Sequence, residues 1–130
     1  MAYLIDTNLI IEHSKNIAQT VELLHRLKEK DDLFCSVISL TEYRVGLAKN
    51  ISSQMRKVKA TYFPLDVTPE IAELAGAFLQ KYTPRILRFD ISDAIIAATA
   101  SIYELNLATK NIKHFPMSDV KIAKECRSLV

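Results

Sequence analysis

Short apolar runs separated by long stretches of helical periodicity constrain this chain more than any other feature. Tyr3–Ile5, Leu33–Ile38, Tyr62–Val67 and Leu107–Thr109 are each too brief for a helix. Between them, apolar residues recur three or four apart, as in Ile17, Val21, Leu24 and Leu27, or Ile71, Leu74, Ala75, Phe78 and Tyr82. Strands alternating with helices favour parallel pairing through helical crossovers. The pattern predicts an α/β domain whose mainly parallel sheet has four or five short strands, flanked by helices on both faces.

Local signals give the expected boundaries. Tyr3–Ile5 ends in Asp6, and Asn8 is placed to cap a helix beginning at Leu9. Ser39 opens a helix running to about Lys49, and Ser52 or Ser53 opens another ending at Thr61. Pro64 belongs at a sheet edge or strand start because it cannot donate to a ladder. Thr68-Pro69 is a cap followed by proline at the first helical position, and Thr83-Pro84 ends that helix. Ser92 to Glu104 is apolar on nearly every side, which marks a buried helix; Asn106 is its expected C-terminal cap, and Asp119 to Ala123 is a candidate last strand.

A chain of 130 residues with 49% hydrophobic content fits one domain, taken as residues 1–130. The net charge of +2 permits a nucleic-acid partner without demanding one. Cys35 and Cys126 have no spacing of a disulfide framework or zinc site. Tyr3–Ile5 is too short for a signal-peptide core, and no apolar run is long enough for a membrane span, so the cytoplasm is the expected address. Gly46 and Gly76 are the only glycines, which excludes a glycine-rich phosphate loop. His13 and His25 read as helix-surface residues, and no nucleophile signature surrounds any histidine.

Chemistry concentrates instead in Asp6, Glu42 and Asp93, each at a place where an apolar segment hands over to a helix. Each has a plain structural explanation. Asp6 can be a turn residue, and Ser39-Leu40-Thr41-Glu42 reads as a capping box. Asp93 suits a helix first turn, with Asp90 or Ser92 as cap. Their conjunction is what carries weight, because residues beyond the carboxyl ends of neighbouring parallel strands converge on one crevice. With Asp90, four acids would share that neighbourhood and repel one another unless a cation neutralised them. Oxygen donors without His or Cys partners suit Mg²⁺, or Mn²⁺ in its place.

The set Leu4-Ile5-Asp6-Thr7-Asn8, Ser36 to Gly46 around Glu42, Asp93-Ala94-Ile95-Ile96-Ala97-Ala98-Thr99-Ala100, and Thr109-Lys110-Asn111-Ile112-Lys113-His114-Phe115 resembles the PIN-domain ribonucleases. Within them it is similar to the VapC-type toxins of prokaryotic toxin-antitoxin pairs. The resemblance implies that Asp6, Glu42 and Asp93 are catalytic and hold one or two Mg²⁺ ions, with Asn111 as the fourth metal-side residue. Family members often carry Asp where Asn111 or His114 stands, so this chain brings less negative charge to a second ion. The resemblance also implies RNA as substrate, a small antitoxin partner and a homodimer.

In the implied hydrolysis, Asp6 and Asp93 hold the ion that makes hydroxide from water, while Glu42 positions the ion or its water. Thr7, Asn8, Thr109 and Lys110 are the expected substrate-side residues. Arg85, Arg88 and Lys113 are further candidates for RNA phosphates. Two alternatives fit the same residues. One is a PIN-like domain that binds RNA or protein without cutting, suggested by Asn111 and His114. The other is a receiver-like signalling domain, which would want an acid pair after the first strand, where Asp6 stands alone.

Overall fold

The computed structural model describes residues 1–128. Its strands are β1 (Tyr3–Ile5), β2 (Leu33–Ser36), β3 (Phe63–Leu65), β4 (Asn106–Ala108) and β5 (Lys121–Ile122). Its helices are α1 (Thr7–Ser14), α2 (Ala18–Lys30), α3 (Val37–Val45), α4 (Ile51–Thr61), α5 (Pro69–Tyr82), α6 (Ile91–Ile102) and α7 (Lys124–Arg127), with a 3₁₀ turn at Ile112–His114. The strands lie in the order β3-β2-β1-β4-β5 and every pair is parallel. The expected α/β domain forms, and its mainly parallel sheet of four or five strands has five, all parallel.

Chain order runs outward from β1 to β3 on one side, then jumps back to β4 on the other. That makes the β1/β4 boundary a topological switch point, where a crevice opens beyond the strand carboxyl ends. Ile5 pairs with Ala108, so the next residues, Asp6 and Thr109, stand side by side above that boundary. The Asp6 amide donates to the Ala108 carbonyl at 3.0 Å and extends the ladder by one bond.

Burial on both faces explains why the strands read as continuous apolar runs. Leu4, Ile5, Cys35, Leu107 and Ala108 are fully buried, as are Leu27, Ile71 and Ala97 from the covering helices. α6 is lined by Ala94, Ala97, Ala98 and Ala100, small residues that let it lie close against α5 and the sheet.

Several boundaries differ from the sequence expectation. β2 stops at Ser36, whose hydroxyl accepts from the Ile38 amide and so caps α3 three residues before Ser39. Gly46 is the C-terminal cap of α3, and the helix does not reach Lys49. Asp6, not Asn8, caps α1, and Asn8 sits exposed in the first turn. α4 begins at Ile51. Asn106 is not a helix cap: Glu104 takes a left-handed φ of 53° to turn the chain, and Asn106 joins β4 by donating to the Ala2 carbonyl. β5 is only Lys121–Ile122 within the expected 119–123. Pro64 does lie on an edge strand, Thr68 caps α5 through the Ile71 amide, and that helix ends before Thr83-Pro84. His13 is half-buried, with Nδ1 2.5 Å from the Tyr62 hydroxyl, so its surface reading fails; His25 is exposed.

Candidate active site

Asp6 leaves β1 in an extended conformation and is 5% exposed. Its Oδ1 accepts from the Thr7 amide at 2.8 Å and its Oδ2 from the Thr109 hydroxyl at 2.7 Å, a bond across the switch point. Thr109 in turn accepts from the Asn111 amide at 2.9 Å, which leaves its one hydrogen for Asp6. Burial pushes the Asp6 carboxyl up from 3.8 to about 6, against the two hydrogen bonds and with the charges of Asp93 and Glu42 adding to the rise. The site therefore holds its central acid reluctantly as a carboxylate, which is the electrostatic setting a cation relieves.

Glu42 arrives from the second turn of α3, not from a capping position. Its Oε1 accepts from the Thr7 hydroxyl at 2.6 Å and from the Ser92 hydroxyl at 2.8 Å. The Ser39-to-Glu42 capping box does not form, because Ser39 is already inside the helix. Ser39 Oγ lies 2.7 Å from Thr7 Oγ1. Thr7 has one hydroxyl hydrogen and gives it to Glu42, so Ser39 donates to Thr7. The chain Ser39 to Thr7 to Glu42 ties α3 to α1, and Ser92 ties both to α6.

Asp93 lies in the first turn of α6 and forms a reciprocal box with Asp90: the Asp93 amide donates to Asp90 Oδ1 at 2.9 Å and the Asp90 amide to Asp93 Oδ2 at 3.3 Å. Between the two caps left open by the sequence, Asp90 is the one used. His114 Nδ1 is 3.1 Å from the same Oδ2. Burial raises the Asp93 carboxyl, and the neighbouring Asp90 charge raises it further, opposed by the Asp90 amide and His114.

The distribution of these bonds bears on metal binding. Both partners of Glu42 sit on Oε1 and both partners of Asp93 on Oδ2, leaving Oε2 and Oδ1 without a hydrogen bond among the described residues, yet no buried side-chain oxygen is orphaned. Each free oxygen is thus open to solvent or to an ion. Among the described residues no three His, Cys, Asp or Glu side chains are gathered tightly enough to close on one ion alone. What the site does offer is an all-oxygen donor set, the kind that suits a hard divalent cation keeping several of its own waters. The residues present fit a hydrated hard cation.

The remaining expected residues are dispersed. Thr7 and Thr109 are buried and hold the acids, Asn8 is exposed in α1, and Asn111 precedes the 3₁₀ turn with its amide on Thr109. The Lys110 ammonium is 2.6 Å from Glu12 Oε1, which also accepts from Thr20 at 2.5 Å. Arg85, Arg88 and Lys113 are exposed, with no ion pair among the described residues. Sequence reasoning missed the roles of Ser39 and Ser92. Their signal was faint: two small hydroxyls at buried positions of otherwise apolar helix faces. A cavity of about 210 Å³ between α1 and α4 is lined by His13, Tyr43 and Tyr62 among others, with no acid in its lining.

Residues 3–117 match the PIN domain family. The chain belongs to the PIN-domain family. This PIN domain is 30% identical to Ribonuclease VapC10 of Mycobacterium tuberculosis over 114 residues, covering 88% of this chain and 86% of the relative. It is 27% identical to Ribonuclease VapC19 of the same organism, over 88% of this chain and 92% of the relative. Among solved structures it is similar to a toxin-antitoxin complex from Klebsiella pneumoniae, with a TM-score of 0.73 at 27% identity, covering 93% of this chain and 100% of that one. VapBC2 from Rickettsia felis, bound to a DNA fragment from its promoter, gives 0.79 at 21% identity over 95% and 98%, a likeness of fold. No helix among the described residues is long and apolar enough to cross a membrane.

Proposed function

We propose that this PIN domain is a Mg²⁺-dependent endoribonuclease and the toxin half of a toxin-antitoxin pair, working as a homodimer in the cytoplasm. The observation that carries the reading is the meeting of Asp6, Glu42 and Asp93 at the switch-point crevice, each fixed by hydroxyl or amide donors that leave coordination capacity on the carboxylate. The likeness to ribonucleases VapC10 and VapC19 supports RNA as substrate, and the Klebsiella toxin-antitoxin complex supports a small antitoxin as partner.

In this reading Asp6 and Asp93 would hold the ion, and Glu42 would hold it or one of its waters. When bound, the ion supplies a nucleophilic hydroxide at neutral pH and stabilises charge on the phosphate. Thr7 and Thr109 keep Glu42 and Asp6 in place, and Asn111 would add a neutral amide oxygen to the donor set. Asn8, exposed at the start of α1, is a candidate hydrogen-bond partner for the substrate. Arg85, Arg88 and Lys113, exposed and flanking the acidic motifs in sequence, would meet RNA phosphates, which makes binding weaken as salt rises.

The test is RNA digestion by the wild type, Asp6→Asn and Asp93→Asn, with Mg²⁺ and with EDTA. Loss of a direct metal ligand is expected to lower the rate more than the roughly 10–100-fold carried by outer-shell partners. Cleavage that survives thorough chelation, or that either variant leaves intact, refutes the metal-acid mechanism. RNA that is bound by the wild type and never cut favours the binding-only alternative that Asn111 and His114 suggest.

A further inference from the structure

We propose that His114 is a positioning residue for Asp93: its Nδ1–H donates to Asp93 Oδ2 and aims the opposite oxygen, Oδ1, at the cation. The inference rests on the metal-dependent reading above and adds a residue to it. An ionised carboxylate only accepts, so the hydrogen in the 3.1 Å contact belongs to His114 Nδ1. Left alone, an Asp carboxylate rotates broadly about its last torsion. Here the imidazole and the Asp90 amide both address Oδ2, so the group cannot turn without giving up two hydrogen bonds.

The surroundings make the imidazole a fixed one. His114 closes the 3₁₀ turn Ile112–His114, and the next residue, Phe115, is 3% exposed and anchors the turn in the core. The two partners are 24% and 17% exposed at their side chains, shielded enough for the bond to hold against water. The same turn begins at Asn111, whose amide holds Thr109, the donor to Asp6. One short segment after β4 therefore orients two acids, Asp6 through Thr109 and Asp93 through His114. Partners of this kind outside the ligand shell typically carry about 10–100-fold of metal affinity.

Titration of Mn²⁺ by calorimetry into the wild type, His114→Ala, His114→Asn and His114→Gln tests the assignment. The Asn amide nitrogen takes the place of Nδ1, while the Gln amide reaches the place of Nε2. His114→Ala and His114→Gln are expected to raise the Mn²⁺ dissociation constant by roughly 10–100-fold, and His114→Asn to restore most of the affinity. RNA cleavage by His114→Ala should recover towards the wild-type rate at saturating Mn²⁺. Unchanged affinity in His114→Ala, or rescue by Gln and not by Asn, overturns the proposal while leaving the nuclease reading intact. A wild type that binds no Mn²⁺ overturns both. If His114→Ala does not fold, the contrast between Asn and Gln decides.

Discussion

Asp6→Asn should make the metal-free protein more stable at neutral pH while destroying its metal site. The Asp6 carboxyl sits at about 6 in the folded protein against an ordinary 3.8. Between those values the native state holds a proton that the unfolded chain has released, so stability falls as pH rises through that window and levels off above about pH 6. Each tenfold change in the proton equilibrium is about 1.4 kcal/mol. The burden on the wild type is therefore ~1 kcal/mol at about pH 4.5 and ~3 kcal/mol at about pH 7.5. Asparagine carries no charge, but its amide nitrogen faces the Thr109 hydroxyl where a carboxylate oxygen accepted, at a pH-independent cost of ~1 kcal/mol. Urea unfolding in EDTA should find the two proteins about equal at the lower pH and the variant ~2 kcal/mol more stable at the higher. Mg²⁺ should stabilise the wild type by ~2.7 kcal/mol at one hundred times its dissociation constant and leave the variant unmoved. A stability difference that does not change with pH would refute the idea that burial and neighbouring acids load Asp6.

Thr7→Val removes the hydroxyl between Ser39 and Glu42, leaves the buried Ser39 hydroxyl short of its partner, and should cost about 1–3 kcal/mol in urea unfolding, with a matching loss of cleavage; unaltered stability would sever the proposed chain. Lys110→Met breaks the pair with Glu12, whose carboxyl Lys110 and then Thr20 hold below its usual range. The stabilisation present above the ordinary carboxylate pKa of 4.5, and lost on acidification through the lowered value, should shrink by no more than about 1 kcal/mol. Because that ammonium is already engaged, Lys110→Met in an Asp93→Asn background should leave the salt slope of RNA binding unchanged, whereas Lys113→Met should reduce it by about one. A drop for Lys110→Met would return that lysine to the RNA contact expected from the sequence.

Local physics makes part of this protein legible from its residues alone. Strand and helix periods differ so sharply that the alternation of Tyr3–Ile5, Leu33–Ser36 and Leu107–Ala108 with helical stretches implies a parallel sheet. The caps at Thr68 and Asp90 and the edge position of Pro64 follow from groups reacting to their own backbone. Glu42 stands out as an acid of the site, but the sequence offers it a capping role that never forms. Its true partners, Thr7 and Ser92, lie 35 and 50 residues away, and Thr109 reaches Asp6 across 103. Only the tertiary fold sets those pairings, because they depend on the register of β1 against β4 and on α1, α3 and α6 meeting at one crevice. The sequence by itself determined the class of fold and which acids stand at element boundaries. The tertiary structure decided that both oxygens of Asp6 are engaged while Glu42 and Asp93 each keep one free, since hydrogen-bond direction is a matter of distance in space and leaves no period in the chain.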